Sequence, residues 1–276
     1  MFDKEKAFQT ARKWIKEIGH VIREEIDQPR NVDTKTNPND LVTEMDRKVE
    51  RFFALKIRNA YPNDKILSEE GFGDHVTSLE GTTWIIDPID GTMNFIHQKR
   101  NFAISLAIYH EKQGEIGFVY DVMADVLYAA KRGEGAYKND QRLATLDDEK
   151  KFTESIYMLN TIWTTDNDIV DAEKIRALVK DVRGVRTYGS AALEFCYLAE
   201  GIVDGYVSFK LHPWDVAAGA VIYKEVGGVV KHADGSELSY LKQEPLVAGH
   251  KEIVAETLKH YLVLTHFRKK SPSSSV

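Results

Sequence analysis

The sequence predicts a mixed α/β chain in which an α+β first half is followed by a half where strands and helices take turns. Three observations predict it: two amphipathic helical stripes at the start, a run of short apolar segments separated by turns, and then extended and helical patterns in alternation. In the first stripe Phe8, Ala11, Ile15, Ile18, Ile22 and Ile26 recur at three- and four-residue steps between Phe2 and Asp27, which makes one face of a helix. Gln28 to Asn39 hold two prolines and several small polar residues and interrupt the pattern. A second stripe runs through Val49, Phe52, Phe53 and Ile57 to Tyr61-Pro62.

Strands follow at Thr83-Trp84-Ile85-Ile86, Phe102 to Tyr109, Ile116 to Tyr120 and Val126 to Ala130, with turns expected at Gly114 and at Met123-Ala124. Neighbouring strands of this kind build an antiparallel meander. The second half reads extended over Ser155 to Leu159, Val185 to Tyr188, Val203 to Phe209 and Gly228 to His232. Between and after these, Asp171 to Val182, Ser190 to Glu200, Pro213 to Val226 and Ile253 to Val263 read as helices. The tail from Arg268 to Val276 has too little apolar surface to offset its ordering entropy and is expected to be mobile.

Composition limits the function classes. The 276 residues are 43% hydrophobic and 29% charged, which suits a globular protein and allows one large domain or two closely packed ones. Lys and Arg total 37 against 43 Asp and Glu, a net charge of −6 that argues against general nucleic-acid binding by phosphate neutralisation. No apolar run approaches the ~20 residues of a membrane span. The single cysteine, Cys196, has no disulfide partner, and the N-terminus is charged where a signal peptide is apolar, so a cytoplasmic location is expected. Cys196, between Phe195 and Tyr197, reads as a small buried apolar residue.

Chemistry concentrates where strand Trp84-Ile85-Ile86 runs into Asp87-Pro88-Ile89-Asp90-Gly91-Thr92. Two carboxylates three residues apart at the lip of a sheet can share hard cations, and oxygen-only ligation favours Mg²⁺ over zinc or copper. The N–H groups of Gly91 and Thr92, at a turn opening a helix, can hold a phosphate. The alternative is an ordinary Asp-Pro-Gly turn capped by its own acids. Glu69-Glu70-Gly71 ends another short apolar segment, and Asp215 follows Pro213 at the start of a helix, where a carboxylate suits the dipole. Thr43 and Asp46 resemble a capping box with Asp in place of Glu or Gln. His212 reads as a packed or capping residue, and Trp84 and Trp214 as core anchors beside the site.

Taken together, these segments resemble the inositol monophosphatase family of Mg²⁺-dependent phosphatases over nearly the whole chain. Lys35 to Asp46 is similar to the family's first motif, Ser68-Glu69-Glu70 to its glutamate motif, and Trp84 to Thr92 to its DPIDGT signature. Gly189-Ser190-Ala191-Ala192 and Pro213 to Gly219 are similar to its two C-terminal motifs. The resemblance implies a layered αβαβα sandwich of the sugar-phosphatase type, commonly dimeric. The seam between an N-terminal subdomain (1–145) and a C-terminal one (146–267) is placed near Asp140 to Glu154, ahead of the tail (268–276).

It also implies two or three Mg²⁺ ions, the first served by Glu69, Asp87, the Ile89 carbonyl and Thr92, the second by Asp87, Asp90 and Asp215. Asp46 and Thr92 would orient and deprotonate the attacking water, with Glu69 counted beside them as catalytic. Gly91 and Thr92 would bind the phosphate, and Asp90 with Gly189, Ser190 and Ala191 the alcohol part of the substrate. The chain departs from its inositol-handling relatives at Ser208, where they carry a glutamate, and Lys210 adds a cation that suits a second phosphate. Inositol 1-phosphate is therefore expected to compete with NADP or fructose 1,6-bisphosphate as substrate, and Li⁺ is expected to inhibit. An alternative of another class is a regulatory binding protein with a secondary phosphatase core.

Overall fold

Helix α1 (Lys4–Glu25) begins where the Asp3 side chain accepts the Lys6 amide, and it buries Ala7, Ala11, Trp14, Ile15, Ile18 and Ile22 along one face. The computed structural model describes residues 2–28, 32–34, 41–146 and 150–265. The tail expected to be mobile and the first six residues of the first motif, 35–40, lie outside them. A two-stranded ribbon, β1 (Val32–Thr34) and β2 (Leu41–Thr43), leads into α2 (Glu44–Ala60).

The next elements form a seven-stranded sheet in sequence order: β3 (Lys65–Ser68), β4 (Thr82–Asp90), then, after the short helix α3 (Thr92–Gln98), β5 (Ala103–His110), β6 (Gln113–Asp121), β7 (Val126–Lys131), β8 (Gly135–Lys138) and β9 (Gln141–Arg142). Every pair is antiparallel except β3 with β4. The turn expected at Gly114 is instead made by Glu111 and Lys112, which take φ of 46° and 67°. Neither residue is the glycine or asparagine such a hairpin usually shows. Gly114 lies inside β6, where a Cβ would stand 2.6 Å from Val221, so close packing rather than the turn calls for glycine there.

In the second half come β10 (Ile156–Met158), α4 (Ala172–Asp181), β11 (Gly184–Arg186), α5 (Ala191–Ala199), β12 (Gly205–Leu211), α6 (Pro213–Lys224), β13 (Val229–His232), β14 (Glu244–Gly249) and α7 (Lys251–His260). The sheet order is β11-β10-β12-β14-β13. Strand β14 lies outside the segments the sequence pattern marks as extended, and it contains Pro245, a residue disfavoured in paired strands. It is tolerated at the second residue, beyond which Leu246 to Gly249 pair on both sides.

Strand alternation sets the layers. Trp84, Ile86, Ile104, Leu106 and Ile108 face α1 and α2, while Ile85, Ala103, Ala107 and Tyr109 face α5 and α6. The same two helices pack on the other side against Tyr206, Val230, Leu246 and Ala248 of the second sheet. Val207, Phe209 and Val247 point away to meet α4 and α7. The result is the five-layer αβαβα sandwich. Helix α6 is apolar nearly all round because it is sandwiched by two sheets. Trp84, wholly buried with its indole N–H on Asp64 at 2.9 Å, anchors the first layer, and its truncation to alanine would cost ~3–5 kcal/mol.

Candidate active site

An unbroken strand would send Asp87 and Asp90 to opposite faces, because residues three apart alternate. Their partners on β5 are Ser105 and Ala103, so three steps on β4 oppose two on β5. This bulge at Pro88-Ile89 brings both acids to the face of Ile85, toward α5 and α6. Ile89 stays on the α1/α2 side and is buried. Its N–H donates to Asp87 Oδ1 at 3.0 Å, and its carbonyl accepts the Thr92 hydroxyl at 3.1 Å.

Gly91 then turns the chain with φ of 92°, and a Cβ there would stand 3.0 Å from the Gly189 carbonyl, so this position needs glycine twice over. Gly91 caps α3 without a side chain, which leaves the first amides of that helix to an outside acceptor.

Asp90 lies against the start of α5. The Ala191 and Ala192 amides donate to it at 3.2 and 2.8 Å, and the Ser190 hydroxyl donates to Oδ2 as well. Ser190 and Ala191 therefore meet Asp90 directly. Gly189, exposed, donates weakly at 3.4 Å to buried Glu194, which also accepts the Tyr188 amide at 2.8 Å. Glu194 was not singled out in the sequence; it sits in the apolar helix pattern, where a lone acid is the available signal.

On α2 the capping box is present: Asp46 Oδ2 accepts the Thr43 N–H at 2.8 Å and its hydroxyl at 2.5 Å. The other oxygen, Oδ1, faces the Thr92 hydroxyl at 3.3 Å. Asp215 sits in the first turn of α6 behind Pro213 and accepts the His212 amide at 2.8 Å. The His212 ring stacks on Trp214, centroids 4.8 Å apart, so it packs as expected. Cys196 is fully buried, also as expected.

The acids feel one another. Burial lifts Asp87 well above the usual carboxylate range, and Glu69, Asp90, Asp215 and Asp46 add to the rise. Asp215 is lifted likewise by burial, then by Asp90 and Glu69. Burial pushes Asp90 up to about 7 against the pull of Ser190 and Ala192, and Asp46 up to about 6 against that of Thr43. The charges acting most strongly on Asp87 are all carboxylates, so the group calls for cations. One oxygen from each of Asp87, Asp90 and Asp215 lies within 4.8 Å of the others. Three hard oxygen donors at this spacing fit Mg²⁺.

Ser208 is half-buried on the β12 face that carries Tyr206, and Lys210 is exposed. Among the described hydrogen bonds neither side chain touches the carboxylate group.

A five-layer α/β frame that gathers buried acids at a bulge, beside a hydroxyl and an uncapped helix start, belongs to the Mg²⁺-dependent phosphoric monoester hydrolases. The profile of the inositol monophosphatase family matches residues 3–263, and the chain is a member of that family. It is 46% identical over 261 residues to inositol-1-monophosphatase of Bacillus subtilis (strain 168), covering 95% of this chain and 97% of that one. The crystal structure of inositol monophosphatase-II from Staphylococcus aureus MSSA476 superposes with a TM-score of 0.85 at 41% identity, covering 93% and 95% of the two chains. That of an IMPase/NADP phosphatase complexed with Mg²⁺ and phosphate gives 0.85 at 26% identity, covering 93% and 95%. Among the described residues no helix is long and apolar enough to cross a membrane.

Proposed function

We propose that the chain hydrolyses inositol 1-phosphate and related small phosphomonoesters, with Glu69, Asp87, the Ile89 carbonyl, Asp90, Thr92 and Asp215 holding two or three Mg²⁺ ions. The observation that carries the reading is the convergence of Asp87, Asp90 and Asp215 within 4.8 Å. When bound, the ions supply Lewis acidity toward water and phosphoryl oxygens and neutralise the acid cluster. Asp46, lifted to about 6, serves as the base for the attacking water, with the Thr92 hydroxyl orienting that water. The uncapped amides at the start of α3, from Gly91 and Thr92, bind phosphoryl oxygens. Ser190 and the Ala191 and Ala192 amides hold Asp90 in place, and Gly189 beside them lets a ring approach.

Phosphate release from a panel of phosphomonoesters, with and without Mg²⁺, tests the reading. The Asp90→Asn variant should lose metal affinity and turnover together, and a fully active variant at ordinary Mg²⁺ would remove Asp90 from the site. Absence of Mg²⁺-dependent release from every substrate would favour the regulatory binding protein instead.

Ser208 and exposed Lys210 favour a second reading, in which a phosphorylated nucleotide such as NADP, or fructose 1,6-bisphosphate, is also a substrate. Relatives solved with inositol monophosphate and with NADP and Ca²⁺ support keeping both. The same reading includes Li⁺ inhibition, supported by a staphylococcal relative solved as a LiCl-soaked inhibitory complex, and a homodimer, which light scattering would test.

A further inference from the structure

We propose that Glu50 is a positioning residue that sets the Glu69 carboxylate and, through it, the affinity for Mg²⁺. The proposal rests on the reading of Glu69 as a ligand. Glu50 follows Asp46 by one turn of α2, so both acids lie on the flank of the helix turned toward the site. An acid among Val49, Phe53, Ala54 and Ile57 runs against the core pattern, and such local violations cluster at functional sites.

The side chain has 0% exposure, and among the described residues no Lys or Arg pairs with it. A carboxylate this deep is costly unless donors saturate it. Three do. Oε1 accepts the Ser68 hydroxyl and the Phe72 amide, both at 2.7 Å, and Oε2 accepts the Glu70 amide at 2.5 Å.

These donors bracket Glu69 on both sides. The segment leaves β3 at Ser68 and turns through Gly71 at φ 87°, with no regular ladder beyond the strand. Its local geometry is therefore held largely from outside, by this carboxylate at Ser68, Glu70 and Phe72 and by Arg58, which donates to the Phe72 carbonyl at 2.8 Å, both side chains coming from the helix that carries Asp46. Glu69 in turn lies close enough to Asp46, Asp87 and Asp215 to raise all three. A partner that orients a metal-binding carboxylate without touching the ion is expected to be worth about 10–100-fold in metal affinity.

The test uses the full chain and the variants E50Q, E69Q and E50Q/E69Q. Mg²⁺ binding is measured by calorimetry, and amide hydrogen exchange is measured on the metal-free proteins. E50Q should weaken Mg²⁺ binding about 10-fold or more while leaving KM for inositol 1-phosphate unchanged at saturating Mg²⁺. It should also speed exchange at Glu70 and Phe72 with β4 and the rest of α2 still protected. In the E69Q background the same substitution should add nothing, because its effect passes through the missing carboxylate.

Mg²⁺ binding by E50Q equal to the parent's, or full multiplication of the two effects in the double variant, overturns the proposal. If E50Q does not fold, Ser68→Ala removes one of the three donors and should shift Mg²⁺ affinity about 2–5-fold in the same direction; no shift overturns it as well. Should E69Q bind Mg²⁺ like the parent, the ligand reading falls and takes this proposal with it. Should E69Q weaken binding while E50Q does not, only this proposal falls.

Discussion

The hydroxyl of Thr92, at the start of α3, donates to Oδ1 of Asp46 in the first turn of α2 at 3.3 Å. Its one proton has a second acceptor, the Ile89 carbonyl at 3.1 Å, so Thr92 can release Asp46 without leaving its own donor unsatisfied. Asp46 is similarly divided: Oδ2 is committed to Thr43, and Oδ1 is left for chemistry. Asp46→Asn keeps the shape and one acceptor for the cap but removes the base. Turnover should fall about 10²–10⁴-fold with little change in KM, read from steady-state kinetics at saturating Mg²⁺. Undiminished turnover would leave Asp46 with only its capping role.

Metal-free protein should lose stability as pH rises through neutrality. Asp46 at about 6 and Asp90 at about 7 are both lifted chiefly by burial above the ordinary aspartate value near 4. The folded state therefore holds protons that the unfolded chain gives up. The stability these groups contribute is complete below pH ~4 and is lost as pH climbs through about 6 to 7. Asp234, held at about 2 mainly by the Ser236 hydroxyl and amide, has finished titrating below this window and adds no slope. Urea unfolding in EDTA between about pH 5 and 7.5 should show a loss on the order of a few kcal/mol. With the acids holding Mg²⁺ as proposed, adding the ion should reverse the trend. A metal-free profile that rises over the same range would contradict this account.

Much of the frame was legible because burial imposes periodicity. The stripe from Phe8 to Ile26 and the meander from Thr83 to Ala130 followed from which residues must face a core. The site was legible in another way, through the resemblance of ordered motifs, since spacing alone does not reveal the bulge that turns Asp87 and Asp90 to one face. What escaped was set by tertiary context. Strand β14 was hidden by Pro245, and the Glu111-Lys112 turn by residues that rarely take positive φ. The roles of Glu50 and Glu194 depend on which distant amides they meet, and a pattern of residue types carries no record of that.

Gly91→Ala should separate stability from activity. A residue with a Cβ at φ 92° costs about 1–2 kcal/mol, and the added carbon would press on the Gly189 carbonyl at 3.0 Å. The strain falls on the contact between the Asp90-Gly91 turn and the start of α5, where Ser190 and Ala192 hold Asp90. Denaturant unfolding should show a modest loss, while turnover at fixed Mg²⁺ falls at least about 10-fold through a displaced Asp90. Loss of stability with full activity would mean that this turn does not position the acid.

Substrate choice should respond to Ser208. Period two on β12 puts Ser208 on the face of Tyr206, turned toward the helix layer that holds Asp215, and it is half-buried there. A carboxylate at this position would supply an acceptor for sugar hydroxyls and repel a second phosphate. Ser208→Glu should therefore raise the ratio of kcat/KM for inositol 1-phosphate over NADP, by about 10-fold for one well-placed charged hydrogen bond. Lys210→Ala should move the ratio in the same direction by lowering the NADP value alone, because exposed Lys210 has no part in the acid cluster. Parallel kinetics on both substrates give the answer, and a ratio unmoved by either substitution would place the selection of the alcohol elsewhere in the molecule.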